Sequence, residues 1–223
     1  MYQHTHLDGS AIDLPVGKAV CVGRNYAAHA RELGNAVPET PILFLKPSTA
    51  IVPLSPSFAI PAGRGSCHHE TEIAVLIGKT AKDIDVAAVP GVIAGYGLAL
   101  DLTLRDLQNT LKKQGYPWEV AKAFDGACPL SPFIPSEALG DVATAGLALS
   151  VNGGERQRGF TRDMITGIYE LVAYISGIFT LQPGDVVLTG TPEGVAALAS
   201  GDRLELSLLN RDRVAARFET EVA

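Results

Sequence analysis

Short apolar runs rich in Val, Ile and Leu recur along the chain, at residues 18–23, 41–46, 71–78, 92–101, 147–151, 185–189, 203–209 and 214–219. Each is bounded by Gly, Pro or Asp, and runs of this length with such boundaries predict β-strands. Asn152-Gly153, directly after one of them, predicts a two-residue type I′ hairpin, in which both positions need positive φ. Three stretches follow the helical period instead. Residues 26–33 predict a short amphipathic helix ended by Gly34. Residues 104–114 place Leu104, Leu107 and Leu111 on one face and stop at Gly115, with Thr103 and Asp106 spaced as a capping-box variant. Residues 164–179 are mostly apolar, so this helix belongs in the core or at an interface. Many strands, few helices and no strict strand–helix alternation predict an α+β fold rather than a doubly wound sheet.

Composition narrows the function. The net charge is −6 and the cations are scattered, which excludes the basic footprint of a nucleic-acid or anionic-membrane binder. An acidic protein that takes an anionic ligand must gather cations locally or recruit a metal. Cys21, Cys67 and Cys128 are odd in number and far apart, with no CxxC, so neither a zinc knuckle nor a redox pair is expected. The opening MYQHTHLDGS is polar, and the uncharged apolar stretch 86–100 holds Pro90 and is too short to span a bilayer. The expectation is a cytoplasmic protein. A mean hydropathy of +0.19 points to extra buried surface of the kind an oligomer interface supplies.

Several familiar motifs fail. Gly78-Lys79-Thr80 ends like a phosphate-binding loop, but Ile73 stands where the first glycine is needed. His69-Glu70 begins like a zinc-protease helix, yet Ile73 again replaces the second histidine. No GxSxG elbow is present.

A constellation of charged residues survives. Glu70 and Glu72 lie two apart at the start of a predicted strand, so they share one face. They are either two solvated carboxylates on an edge or a pair whose repulsion a divalent cation relieves, and hard oxygen donors without thiolate favour Mg2+ or Mn2+. Asp101 ends the apolar run 92–101, where it caps the next helix or binds a metal. Arg105 and Gln108 share a face of that helix near its N-terminus, suited to a carboxylate unless simply exposed. Lys122 sits among apolar neighbours and either reaches the surface or is desolvated, which would lower its pKa. His29 and Glu32, three apart on the short helix, can pair as a base and its orienting carboxylate, or as an ordinary surface pair. The glycine-rich loop 188–194 is a ligand loop or a plain tight turn.

Taken in order, the segments CVGRNYAAHAREL, PILFLKPSTA, HHETEIAVLIGK, GYGLALDLTLRDLQ, KKQGYPWEVAKAFDGACPLS, LSVNGGERQRG and GDVVLTGTPEGV resemble the fumarylacetoacetate hydrolase family, in its short branch of acylpyruvases and oxaloacetate decarboxylases. The resemblance covers residues 18–223 as one catalytic domain, behind an N-terminal segment of residues 1–17. It implies a β-rich α+β roll of mixed sheets, usually a homodimer. It also implies that Glu70, Glu72 and Asp101 hold Mg2+ or Mn2+, and that His29 and Glu32 form a catalytic dyad on a lid helix. Lys122 would stand beside the metal and the reacting carbonyl, while Arg105, Gln108 and Thr191 would hold the oxygens of a small anionic 2-keto acid.

The expected chemistry starts from a 2-keto acid chelating the metal, which stabilises negative charge when a bond to C3 breaks. Hydrolysis of an acylpyruvate such as fumarylpyruvate is the first expectation, since the dyad and Lys122 suit activation of water. Decarboxylation or keto–enol tautomerisation of oxaloacetate is the alternative. A non-catalytic protein that binds metal and 2-keto acid comes last, because binding alone needs no base.

Overall fold

The computed structural model describes residues 2–211 and 213–223. Its largest sheet has eight strands and is mixed. Across it run Ile42–Lys46, Ala19–Gly23, Val186–Leu188, Thr71–Ile77, Ile93–Leu100, Cys128–Leu130 and Ile51–Pro53, with Ile134–Pro135 also pairing to Ile93–Leu100. Ala19–Gly23 runs parallel to Val186–Leu188, while Thr71–Ile77 is antiparallel to both of its neighbours. A five-stranded sheet packs against it, ordered Gly154–Phe160, Ala145–Val151, Arg203–Asn210, Arg213–Val222 and Ser57–Phe58. A third, small sheet joins Ala196–Ala197, Cys67–His69 and Thr103–Leu104. This is the expected β-rich α+β roll with few helices.

The period of two sorts the central strands between two cores. Ile73, Val75 and Ile77 face the main core with Leu98, Leu100, Leu147, Leu149, Leu206 and Leu208. Ala74 and Leu76 point the other way, toward Cys21, Phe44, Ala99, Phe133 and Leu188. Every residue of Thr71–Ile77 is buried, which is why the segment reads as a continuous apolar run rather than an alternating one.

The hairpin forms as expected: Asn152 and Gly153 both have positive φ, at 53° and 80°. The helices are Ala27–Glu32, Arg105–Gln114, closed by left-handed Gly115, and Ile168–Ile178, with two short ones at Glu119–Lys122 and Ser136–Leu139. Ile168–Ile178 is shorter than the apolar stretch 164–179 and buries one face through Ile168, Leu171, Val172 and Ile175. Ile165, Tyr174 and Ile178 remain exposed.

One local expectation is overturned. Thr103 and Asp106 form no capping box, because Thr103 Oγ1 donates to the carbonyl of Asp101 and Asp106 accepts from the backbone and hydroxyl of Ser66. Asp106 thus ties the helix start to the turn before Cys67–His69 instead of satisfying its own helix. Among the described residues no helix is long and apolar enough to cross a membrane.

Candidate active site

Strand register assembles the acidic cluster. Thr71 pairs with Leu100 and Glu72 with Ala99, and Asp101 N–H donates to the Glu70 carbonyl at 2.8 Å. Glu70 therefore lies directly across from Asp101, and Glu72, two residues along, shares the face of Glu70. One oxygen from each of Glu70, Glu72 and Asp101 lies within 4.8 Å of the others, and all three residues are buried.

Cations close on two of these carboxylates. The Lys122 ammonium donates to Glu70 Oε2 at 2.8 Å and to Asp101 Oδ2 at 2.5 Å. Arg105 binds the other oxygen of Glu70 and donates to Gln108 Oε1 at 2.7 Å. Lys46, fully buried, lies 2.8 Å from Asp101 Oδ1 and donates to the carbonyls of Lys122 and Ala127. Burial alone would raise the Glu70 carboxyl, but Lys122 and Arg105 outweigh it and hold Glu70 well below the usual carboxylate range.

Glu72 is different. Only 1% exposed, it has no cation within 4.0 Å among the described residues and accepts a hydrogen bond from Gly190 N–H at 2.6 Å. Burial, then repulsion from Asp101 and Glu70, push its carboxyl well above the ordinary value. A buried carboxylate left short of positive charge, beside two others, with no thiolate or imidazole among the donors, fits a hard divalent cation such as Mg2+ or Mn2+.

Lys122 corrects a second expectation. It is buried, but its pKa is not lowered: burial acts downward, and Asp101 and Glu70 outweigh it and push the ammonium up. Lys122 is a fixed cation here rather than a poised base.

His29 and Glu32 do meet. His29, buried on its helix, has Nδ1 3.4 Å from Glu32 Oε2, and the other Glu32 oxygen accepts from Gly194 N–H at 2.9 Å. His29, Glu70, Arg105, Gln108 and Lys122 line one cleft of about 420 Å³, with Phe44 and Trp118 among its apolar walls. Glu72 and Asp101 belong to the cluster behind Glu70, and Glu32 lines an adjoining recess with His68 and Arg105. Thr191 is buried beside Gly190, where its hydroxyl accepts from Gln157 Nε2 at 2.8 Å.

Three residues escaped the reading of the sequence. Lys46 closes an apolar strand, and a lysine inside such a run is itself the signal that it faces a buried acid. Gln157 lies on the polar edge strand Gly154–Phe160, yet its Oε1 accepts from Thr71 N–H and lies 3.1 Å from His69 Nδ1 while its amide reaches Thr191 and Pro192. Asn25 ties the segment after Ala19–Gly23 to the carbonyls of Thr166 and Thr189. None of these partners is near in sequence.

Gly190 carries the loop. Its φ is +93°, and a Cβ there would lie 2.6 Å from the Cβ of Asn25. Gly190→Ala is expected to lower stability by about 2 kcal/mol or more, from left-handed strain plus overpacking. It should also weaken metal binding by moving the N–H that Glu72 accepts. Thermal unfolding and metal titration of the variant measure both.

Residues 18–220 match the fumarylacetoacetate (FAA) hydrolase C-terminal family. The chain is 57% identical over 208 residues to an oxaloacetate tautomerase of Escherichia coli (strain K12), covering 93% of this chain and 95% of that protein. It is 46% identical over 189 residues to a mitochondrial oxaloacetate tautomerase of Bos taurus, covering 85% and 86%. The crystal structure of fumarylpyruvate hydrolase from Pseudomonas aeruginosa in complex with Mn2+ and pyruvate superposes with a TM-score of 0.90 at 38% identity, covering 100% of this chain and 95% of that one. The fold, the sequence match and the likeness to named enzymes agree: the chain is an enzyme of the fumarylacetoacetate hydrolase family.

Proposed function

We propose that the chain interconverts the keto and enol tautomers of oxaloacetate at a Mg2+ or Mn2+ centre. The observation that carries this reading is an oriented imidazole that shares one small cleft with Glu70, the carboxylate through which the cation-seeking cluster reaches it. Proton removal beside a metal-bound keto group needs both. The named tautomerases to which the chain is similar support oxaloacetate as the substrate. This reverses the order that the sequence alone suggested, in which acylpyruvate hydrolysis came first.

Glu70, Glu72 and Asp101 would hold the cation, which would supply Lewis-acid stabilisation of the charge that develops when the C3 proton leaves. His29 takes the proton from C3, and Glu32 keeps its ring aimed through Nδ1. The enolate oxygen takes up a proton from solvent to give the enol, and the imidazolium releases its own to solvent to restore the base. The Lys122 ammonium donates toward the oxygen where negative charge develops. Arg105 and Gln108, already hydrogen-bonded to each other, and the Thr191 hydroxyl hold the substrate's oxygens. Gln157 donates to Thr191 Oγ1, so the Thr191 hydroxyl keeps its own proton to donate onward.

Hydrolysis of an acylpyruvate is the second reading, supported by the likeness to fumarylpyruvate hydrolase, since the same dyad can activate water. A cytoplasmic homodimer completes the proposal, with the exposed Ile165, Tyr174 and Ile178 offering apolar surface for the contact. The test is a turnover panel with Mg2+-supplied enzyme: enol loss from oxaloacetate by absorbance, pyruvate release, and cleavage of fumarylpyruvate and acetylpyruvate. Tautomer interconversion is expected to be fastest. Acylpyruvate cleavage outrunning it overturns the proposal.

A further inference from the structure

Four cations line the cleft: Arg24, Arg105, Lys112 and Lys122. Arg105 and Lys122 are engaged with Glu70. Arg24 and Lys112 have no carboxylate within 4.0 Å among the described residues, although the protein as a whole is acidic. The cleft therefore carries positive charge beyond what its own acids neutralise.

Helix geometry orders these groups. Arg105, Gln108 and Lys112 recur at intervals of three and four, so they form one stripe on the helix Arg105–Gln114. Arg105 and Gln108 are buried next to the acidic cluster, and Lys112 stands about 10 Å farther along the axis, at the open end. A helical side chain leans toward its own N-terminus, so the lysine stem leads back along the stripe into the cleft. Its ammonium lies 5.7 Å from the ring centre of Trp118, a wall of the same cleft. Partial desolvation and then repulsion from Arg24, Arg105 and Lys122 push the Lys112 ammonium down to about 8. Arg24, just after the strand Ala19–Gly23, brings a second cation to the same cleft from a different element. It adopts a left-handed φ of 62°, uncommon for a residue with a long side chain.

We infer that Arg24 and Lys112 form a subsite for the distal carboxylate of a 2-keto dicarboxylate whose 2-keto acid end lies at the acidic cluster. This rests on the proposed function and adds what selects the substrate. Arg105 and Gln108 engage the end that reacts, and Arg24 and Lys112 read the end that does not. A second negative charge placed between two unpaired cations relieves their repulsion and gains charge-assisted hydrogen bonds. A monocarboxylic 2-keto acid gains neither.

The experiment compares oxaloacetate with 2-oxobutanoate, which has four carbons but no distal carboxylate. Dissociation constants are measured by calorimetry on the Mn2+-loaded parent and on Arg24→Gln, Lys112→Gln and the double variant. Loss of charge-assisted bonds should weaken oxaloacetate about tenfold or more in the double variant. Binding of 2-oxobutanoate should stay at the parental value, which also shows that the site is folded. Arg24→Lys and Lys112→Arg, which keep the charge, should recover most of the oxaloacetate affinity. Equal losses for both ligands, or no loss for either, overturn the subsite. Because the readout is binding, protein that discriminates in this way yet does not interconvert the tautomers overturns the proposed reaction and leaves the subsite standing.

Discussion

Exhaustive chelation of the enzyme is expected to lower oxaloacetate tautomerisation by roughly 10³-fold or more, and Mg2+ or Mn2+ to restore it, since a Lewis acid supplies several kcal/mol of charge stabilisation. Glu72→Gln should reproduce the loss in the presence of metal while leaving a folded protein. Among the described residues Glu72 pairs with no cation, so the amide strands no opposite charge and can still accept from Gly190 N–H. Glu70→Gln is a poorer test, because it would leave Arg105 and Lys122 facing a neutral group, at a cost of about 3–5 kcal/mol for a broken buried pair. A pH signature separates a metal ligand from a bystander. Burial and its acidic neighbours raise the Glu72 carboxyl in the fold, so the metal-free protein is most stable while Glu72 keeps its proton. That contribution is lost as pH rises from the ordinary carboxylate range through the raised value. Bound cation removes the repulsion, so the metal-induced gain in Tm should grow across the same window. A gain independent of pH would take Glu72 out of the ligand set, and full turnover in metal-free protein would take metal out of the mechanism.

What the sequence revealed about this centre follows from what is local. Glu70 and Glu72 share a face by the period of two, and His29 and Glu32 approach by the period of the helix, so each pair is visible within a few residues. Gly115 and Asn152-Gly153 are equally local, since φ at those positions restricts the residue types that fit. What joins the pairs is register, and register was not legible. Nothing near Glu70 announces that Asp101 lies directly across from it, because that follows only once Thr71 pairs with Leu100. The same holds for Lys46, whose partner Asp101 follows the strand Ile93–Leu100, with three strands of the sheet between them.

Local reading failed where a tertiary partner outbid a local one. Thr103 and Asp106 have the spacing of a capping box, but Ser66 offers Asp106 both a backbone N–H and a hydroxyl. The strand Gly154–Phe160 has no apolar run of its own and was announced only by the hairpin signal before it, because most of its side chains face solvent and only Gln157 and Gly159 are buried. Lys122 shows the same limit in its electrostatics. Apolar neighbours left burial and surface exposure both open, and the sign of its pKa shift depends on Asp101 and Glu70, which the segment itself does not contain.

Replacing His29 with Ala is expected to slow tautomerisation by roughly 10²–10⁴-fold, the usual contribution of a general base. The fold should survive, because the ring's polar contact is to Glu32, which keeps a second bond to Gly194 N–H. Decarboxylation of oxaloacetate requires no proton acceptor at C3, only a polarised keto group and a nearby cation, so any such side activity should keep a larger share of its rate. Hydrolysis of an acylpyruvate needs an activated water and should fall along with tautomerisation. The ratio of residual activities therefore identifies the step that His29 serves. Glu32→Gln provides the matching control on orientation: its amide can still donate or accept at Nδ1, so the ring stays aimed while the carboxylate's support for a protonated imidazole is gone. A smaller fall than in His29→Ala, with a shifted pH profile, is what a positioning carboxylate predicts. If His29→Ala leaves tautomerisation within a few-fold of the parent while Glu32→Gln is equally silent, the proton is taken by another group. Lys122, held as a fixed cation between Glu70 and Asp101, is poorly suited to be that group.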